Sequence, residues 1–267
     1  MAKENISTKF INIIRSLYSN LSVQVVLPNG LSSSFKSNVG LKQGCNLSPT
    51  LFNIFINDLI SACNNDTKNC DAPTINSLPV NCLLYADDLV LFSRSKKGLQ
   101  NLLNSLDQYS KTWLMNVNIS KTKCVIFGRR KDITTQFHLG DTLIETCDNY
   151  TYLGTAFSWN GSSKKCTNVL QEKASKSMYG LLSKIFKFRS CDLTTACRLF
   201  DGIVKPVLCY NSEVWGSSLF LKNPDLIDFT KLGSTIEGIH LKFLKHCCGV
   251  NEKCSTGEFF LRQVENR

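Results

Sequence analysis

The first chemical signal in this chain is Tyr85-Ala86-Asp87-Asp88, preceded by Leu83-Leu84 and followed by Leu89-Val90-Leu91-Phe92. Strand-forming residues on both sides of two adjacent acids describe a hairpin with carboxylates at its tip. Carboxylates set among apolar side chains are costly unless something positive sits beside them. Two Mg²⁺ ions meet that need, because hard cations take carboxylate oxygens and can clamp a transferring phosphoryl group. The same four residues also suit an ordinary tight turn, where Asp is common.

Three further segments could work with such a tip. In Gly40-Leu41-Lys42-Gln43-Gly44, the glycines permit close backbone approach to a ligand. Gln43 there can offer both a donor and an acceptor to a base or sugar. Lys121, in Asn118-Ile119-Ser120-Lys121-Thr122-Lys123, could face phosphates or protonate a leaving pyrophosphate. Tyr152-Leu153-Gly154 sets an aromatic beside a glycine turn, which suits stacking and backbone contact with a nucleic-acid end. Each has a plainer reading: a helix entry loop, a solvated turn before a strand, and a buried Tyr-Leu pair.

The elements that must position these residues follow from periodicity. Residues 6–19 read as a helix with Ile6, Phe10, Ile13, Ile14 and Leu17 on one side. Val23–Leu27 and Phe35–Val39 read as a hairpin about Pro28-Asn29-Gly30. Ser48 and Pro49 predict a helix start, a capping hydroxyl followed by proline at the first helical position. Its apolar face runs through Leu51, Phe52, Phe55, Ile56 and Leu59. Residues 61–79 read as a polar loop, and residues 82–92 as the acidic hairpin. Leu99, Leu102, Leu103, Leu106, Tyr109 and Trp113 mark the next helix. A strand is expected over Cys124–Phe127, a β pair over Phe137–Leu139 and Leu143–Glu145, and an extended stretch over Tyr150–Thr155. Beyond Cys166 the chain reads as helices over 168–187, 192–210 and 225–248, the first rich in lysine.

With 267 residues and 43% hydrophobic content, the chain can bury a sizeable core and is not disordered in composition. Its 31 Lys and Arg against 21 Asp and Glu give a net charge of +10, which suits a polyanion, nucleic acid first and an anionic membrane surface second. No apolar run is long enough to cross a bilayer and no signal peptide is visible, so neither membrane insertion nor secretion is expected. The 13 cysteines lack regular short spacings and read as reduced, buried small hydrophobes. His240, His246, Cys247, Cys248 and Cys254 form the one grouping to weigh for zinc, with helix packing as its competing role.

In this order the segments resemble the palm of a reverse transcriptase of a LINE-like, non-long-terminal-repeat retrotransposon. Gly40-Leu41-Lys42-Gln43-Gly44-Cys45-Asn46-Leu47-Ser48-Pro49-Thr50-Leu51-Phe52-Asn53 looks like the family's second palm motif, and Tyr85-Ala86-Asp87-Asp88 like its catalytic acid motif. The lysine segment and Tyr152-Leu153-Gly154 look like the next motif and the primer grip. Leu208–Gly216 and Ile239–Val250 resemble thumb and post-thumb portions. Lys42 stands where arginine is common, keeping the charge without the bidentate geometry, and Asn46 stands where proline is usual.

The resemblance implies an α+β fold: a partial polymerase palm, an antiparallel sheet with packed helices, followed by a helical thumb-like region. The palm would occupy 1–160 and the thumb and post-thumb region 161–267. It also implies RNA-directed DNA polymerase activity, extending a primer 3′-hydroxyl with deoxynucleoside triphosphates and two Mg²⁺, with Mn²⁺ as a substitute. The partners would be an RNA template and a DNA primer. By matching position, Asp87 and Asp88 would be the catalytic metal ligands and Lys121 the phosphate-side lysine. Lys42, Gln43 and Gly44 would contact template or nucleotide, and Tyr85, Tyr152, Leu153 and Gly154 the primer.

The family's remaining carboxylate lies on a strand before the first helix. Residues 1–57 hold no aspartate, and Glu4 is their only acid. The expectation is therefore a chain lacking the upstream palm strand, the fingers and the endonuclease of a parent polyprotein, and inactive by itself. The alternative function is an inactive retroelement remnant that at most binds nucleic acid, as the basic helix at 168–187 would allow. Residence in the nucleus or the cytoplasm is left open, since Arg129-Arg130-Lys131 is too short for an import cluster.

Overall fold

A computed structural model describes residues 5–37, 39–65, 71–128, 135–188, 191–216 and 229–251. The chain divides into two compact units, Met1–Thr122 with Thr135–Ile144, and Lys123–Thr134 with Glu145–Arg267.

The first unit opens with α1, Thr8–Tyr18, capped by Ser7, whose hydroxyl accepts from the Phe10 N–H at 3.4 Å. Its apolar periodicity is as expected, but only Ile14 is buried; Phe10, Ile13 and Leu17 are about half exposed. The expected hairpin follows in two pieces. β1, Ser22–Val23, pairs antiparallel with β4, Phe35–Lys36, and β2, Val26–Leu27, pairs with β3, Gly30–Leu31. Ser32 bridges the interruption, its hydroxyl accepting from the Val25 N–H at 2.9 Å.

α2 spans Ser48–Ile56 and α3 spans Asp58–Asn65. Ser48 is not the cap that its type suggests. Leu47 holds the cap position without a side-chain bond, and the Ser48 hydroxyl donates instead to the Lys42 carbonyl at 2.7 Å. The expected loop over 61–79 is also corrected. The last turns of α3 reach Asn65, and β5, Thr74–Ile75, pairs with β6, Leu78–Pro79. Asn76 and Ser77 make that turn with positive φ of 47° and 66°, the left-handed pair that a tight hairpin requires. A polar composition therefore conceals real pairing here.

β7, Cys82–Tyr85, and β8, Asp88–Leu91, form the acidic hairpin. α4, Lys96–Thr112, is capped by Ser95, whose hydroxyl accepts from the Gly98 N–H at 3.0 Å and donates to Asp71 at 2.5 Å. Leu102, Leu103, Leu106 and Tyr109 are buried as the heptad-like spacing predicts. α4 packs against α3 and against β10, Phe137–Leu139. Gln100 accepts from the His138 N–H at 3.1 Å and donates to its carbonyl at 2.8 Å. β11, Thr142–Thr146, pairs antiparallel with β10 through Thr142–Ile144.

In the second unit, Glu145 and Thr146 of β11 pair in parallel with β9, Lys123–Cys124. The strand expected as far as Phe127 is thus two residues long, and Phe127 is exposed. Tyr150–Thr155 is not one extended stretch but a hairpin, β12, Asn149–Tyr152, against β13, Thr155–Ser158. Among the described residues five helices follow: α5, Lys164–Phe188; α6, Leu193–Ile203; α7, Lys205–Leu208; α8, Ser212–Trp215; and α9, Phe229–Cys247. The helix expected over 192–210 breaks at Val204, ahead of Pro206, which lacks an N–H and cannot continue a helical ladder. Met178, Phe200, Val204 and Phe243 centre the core of α5, α6 and α9. Ala156, Cys166, Leu170 and Trp215 form a separate cluster under β13.

The architecture is mixed α+β, with small sheets and packed helices. Among the described residues the β structure is a set of short pairings, not one continuous antiparallel sheet. No helix among them is long and apolar enough to cross a membrane.

Candidate active site

The β7–β8 hairpin pairs Cys82 with Leu91, Leu83 with Val90, Leu84 with Leu89, and Tyr85 with Asp88. Ala86 and Asp87 make its two-residue turn, Ala86 at a left-handed φ of 51°. Directly opposed residues share a face, so Asp88 lies beside the Tyr85 side chain. Tyr85 is 65% exposed and Leu83 48%, and Asp87 and Asp88 are exposed with them. The tip is therefore open to solvent and ligands, and both carboxylates can meet an incoming group. The alternate residues Cys82 and Leu84 are half-buried and hold the hairpin's other face.

The root of the hairpin is tied to α3. Cys63, fully buried, hydrogen-bonds the Cys82 thiol and holds it below the ordinary thiol range. Below the paired strands the Phe92 N–H donates to the Asn81 carbonyl at 2.6 Å. Asp58 is engaged elsewhere: the Tyr109 hydroxyl donates to its carboxylate. Burial and then that carboxylate push the Tyr109 hydroxyl well above its usual range.

The glycine loop folds back on the start of α2. Gly40 and Gly44 have φ of 90° and 80°, with open space around both, and Gln43 is exposed. Lys42 is held at two points. Its carbonyl accepts from Ser48, and its ammonium sits 5.9 Å from the centre of the Tyr18 ring. The Tyr18 and Ser48 hydroxyls lie 3.1 Å apart. The Leu47 N–H first, then the Ser48 side chain and N–H and the Lys42 charge, hold the Cys45 thiol below its ordinary value. Lys121 is exposed in a turn organised by Asn118, whose side chain accepts from the Lys121 N–H at 3.2 Å.

Tyr152, Leu153 and Gly154 belong to the second unit. Leu153 and Gly154 form the β12–β13 turn with φ of 45° and 79°. Tyr210 and Asn211 bond this turn, and Ser48, Tyr18 and Cys63 brace the first-unit segments; sequence spacing does not reveal any of them. The left-handed Asn211 is the one with a legible signal, since Asn tolerates that conformation better than most residues.

Three of the residues weighed for zinc, His240, His246 and Cys247, make packing contacts. His240 stacks on Phe200 with ring centres 4.9 Å apart. His246 donates from Nδ1 to the Lys242 carbonyl at 2.8 Å and meets Tyr179 edge-on. Burial pushes the Cys247 thiol up to about 11. Cys254 lies outside the described residues, as do Arg129-Arg130-Lys131.

Asp87 and Asp88 offer hard oxygen donors, the set Mg²⁺ takes when one or two carboxylates and substrate phosphates share it with water. Among the described residues, no group of three or more His, Cys, Asp or Glu is arranged to hold a metal ion. The donor chemistry fits magnesium, with two carboxylates supplied from this hairpin.

Residues 1–157, more than half of the chain, match the family described as Reverse transcriptase (RNA-dependent DNA polymerase). The chain belongs to that family. It is similar to the RNA-directed DNA polymerase from mobile element jockey of Drosophila melanogaster, 27% identical over 198 residues, covering 70% of this chain and 20% of that protein. The jockey counterpart in Drosophila funebris is 22% identical over 222 residues, covering 80% and 23%. The retrovirus-related Pol polyprotein from type-2 retrotransposable element R2DM of Drosophila melanogaster is 28% identical over 164 residues, covering 57% and 15%. The chain spans about a fifth of the length of these curated relatives.

Proposed function

We propose that this chain is part of the RNA-directed DNA polymerase of a LINE-like retrotransposon, with a partial palm followed by a helical thumb region. The observation that carries the reading is the exposed Tyr85-Ala86-Asp87-Asp88 tip within the segment matched to the reverse transcriptase family. In the complete enzyme Asp87 and Asp88 hold magnesium, and the substrates are a primer 3′-hydroxyl on an RNA template and deoxynucleoside triphosphates. When bound, the metal neutralises phosphate charge and lowers the pKa of the attacking hydroxyl.

The chain's own residues do the holding and aligning. Tyr85, on the same face as Asp88, lies against the primer terminus. The open Gly40–Gly44 loop lets Gln43 and the backbone approach template or nucleotide, while Tyr18 and Ser48 fix Lys42 beside it. Lys121 meets the phosphates, and Tyr152-Leu153-Gly154 grips the primer end.

Because residues 1–57 hold no aspartate and Asp58 is engaged by Tyr109, the Asp87–Asp88 pair has no aspartate partner from that part of the chain. The isolated chain is expected to bind metal weakly and to give no primer extension above background, since small misplacements are expensive in catalysis. A catalytically inactive retroelement remnant that at most binds nucleic acid is the second reading, and the net charge of +10 favours such binding. Titration with Mn²⁺, read by paramagnetic broadening of backbone amides, tests the metal assignment. Broadening centred on Ala86–Leu89 and lost in Asp87→Asn is the expected result; broadening elsewhere, or unchanged in the variant, would contradict it.

A further inference from the structure

We infer that Tyr210 and Asn211 are positioning residues that set the shape of the Leu153–Gly154 turn for a primer end, an inference resting on the primer-end reading of Tyr152-Leu153-Gly154. The Leu153 carbonyl accepts two hydrogen bonds from this dipeptide, from the Tyr210 hydroxyl at 3.0 Å and from Asn211 Nδ2 at 3.3 Å. Asn211 Nδ2 also donates to the Thr155 hydroxyl at 2.6 Å. One amide group thereby bridges the residues flanking Gly154.

The fit is steric as well as polar. A Cβ built on Gly154 would stand 2.9 Å from Tyr210 Cε1, so the ring lies against the glycine itself. Gly154 also has φ +79°. Glycine is thus required here twice, by its conformation and by the ring that covers it.

The dipeptide is in turn held from below. The indole N–H of Trp215, buried with Ala156, Cys166 and Leu170, donates to the Tyr210 carbonyl at 2.8 Å. Asn211 precedes α8 with φ 52°, a left-handed conformation. Trp215 therefore fixes Tyr210, and Tyr210 with Asn211 fixes the turn. Tyr210 remains 47% exposed, so the clamp borders the surface that a nucleic-acid end would reach.

The test uses the full chain and the double variant Tyr210→Phe/Asn211→Gly, in which glycine keeps the left-handed backbone of residue 211. Tyr210→Phe alone, which removes one hydroxyl and leaves the ring on Gly154, is read in parallel in case the double variant fails to fold. Amide exchange over 153–156 is measured together with binding to an RNA–DNA hybrid with a recessed DNA 3′ end and to the same RNA single-stranded. Loss of these bonds should accelerate exchange and reduce the preference for the recessed end by about three- to tenfold, leaving single-stranded affinity unchanged. Unchanged exchange would overturn the clamp. Faster exchange with an unaltered preference, or an equal loss for single-stranded RNA, would overturn the positioning role. A wild-type chain with no preference for the recessed end would overturn the primer-end reading itself, before any substitution is considered.

Discussion

At the scale of single residues, the two candidate ligand turns solve one backbone problem in different ways. Ala86 accepts a left-handed φ of 51° in the acidic turn, whereas Leu153 and Gly154 share it in the β12–β13 turn. For a residue with a Cβ this conformation costs about 1–2 kcal/mol. Gly154→Ala meets both that cost and the Tyr210 ring, while Gly161→Ala, at φ +69° with open space around it, meets the backbone cost alone. Denaturant unfolding should therefore show a loss of about 1–2 kcal/mol at residue 161 and a larger one at residue 154. Equal losses would mean that the ring does not rest on the glycine. The motif residues were legible because their types are unusual in combination: adjacent acids in an apolar run and paired glycines around glutamine. Their braces were not, because Ser48, Tyr18, Cys63 and Tyr210 are ordinary residue types whose role arises only from contacts distant in sequence.

At the scale of elements, periodicity located the amphipathic helices and the hairpin at 82–92, but not every boundary. α4 was legible because Leu102, Leu103, Leu106 and Tyr109 recur at helical spacing and are all buried. The Asn76-Ser77 hairpin was hidden by its polar residues, and the break at Val204 by an apolar pattern that continues across Pro206. α6 is capped by Asp192, whose side chain accepts from the Thr195 N–H at 3.4 Å. Its hydrogen bonds to Thr195 lead the causes that lower its carboxyl pKa from 3.8. A lowered folded-state pKa means that this stabilisation is present above about 3.8 and is lost as the pH falls through the lower folded value. Protection of the Thr195 amide, its exchange rate taken relative to the intrinsic rate at each pH, should fall on acidification through that window and show no such step in Asp192→Ala. The helical core gives a second expectation. Phe243 is fully buried against Phe200, with ring centres 4.8 Å apart. Phe243→Ala should cost about 3–5 kcal/mol in denaturant unfolding of the second unit; a loss under about 1 kcal/mol would show that α9 does not pack there as described.

At the scale of the whole molecule, the first unit carries the acidic hairpin, the glycine loop and Lys121, and the second carries the β12–β13 turn and helices α5–α9. The family match ends at residue 157, so it takes in the first unit and nearly all of the β12–β13 hairpin. The fold class was legible because the pattern changes from short mixed elements to long helices near residue 164. The exposure of Phe10, Ile13 and Leu17 was not, because periodicity marks an apolar face without saying what covers it. We propose that Asp87 and Asp88 are reverse transcriptase metal ligands that do not by themselves complete a polymerase site. Primer extension on an RNA template with Mg²⁺, comparing the unmodified chain with Asp87→Asn, tests it most directly. The expected result is hybrid binding with no extension above the Asp87→Asn background; robust synthesis by the unmodified chain, abolished in Asp87→Asn, would contradict it.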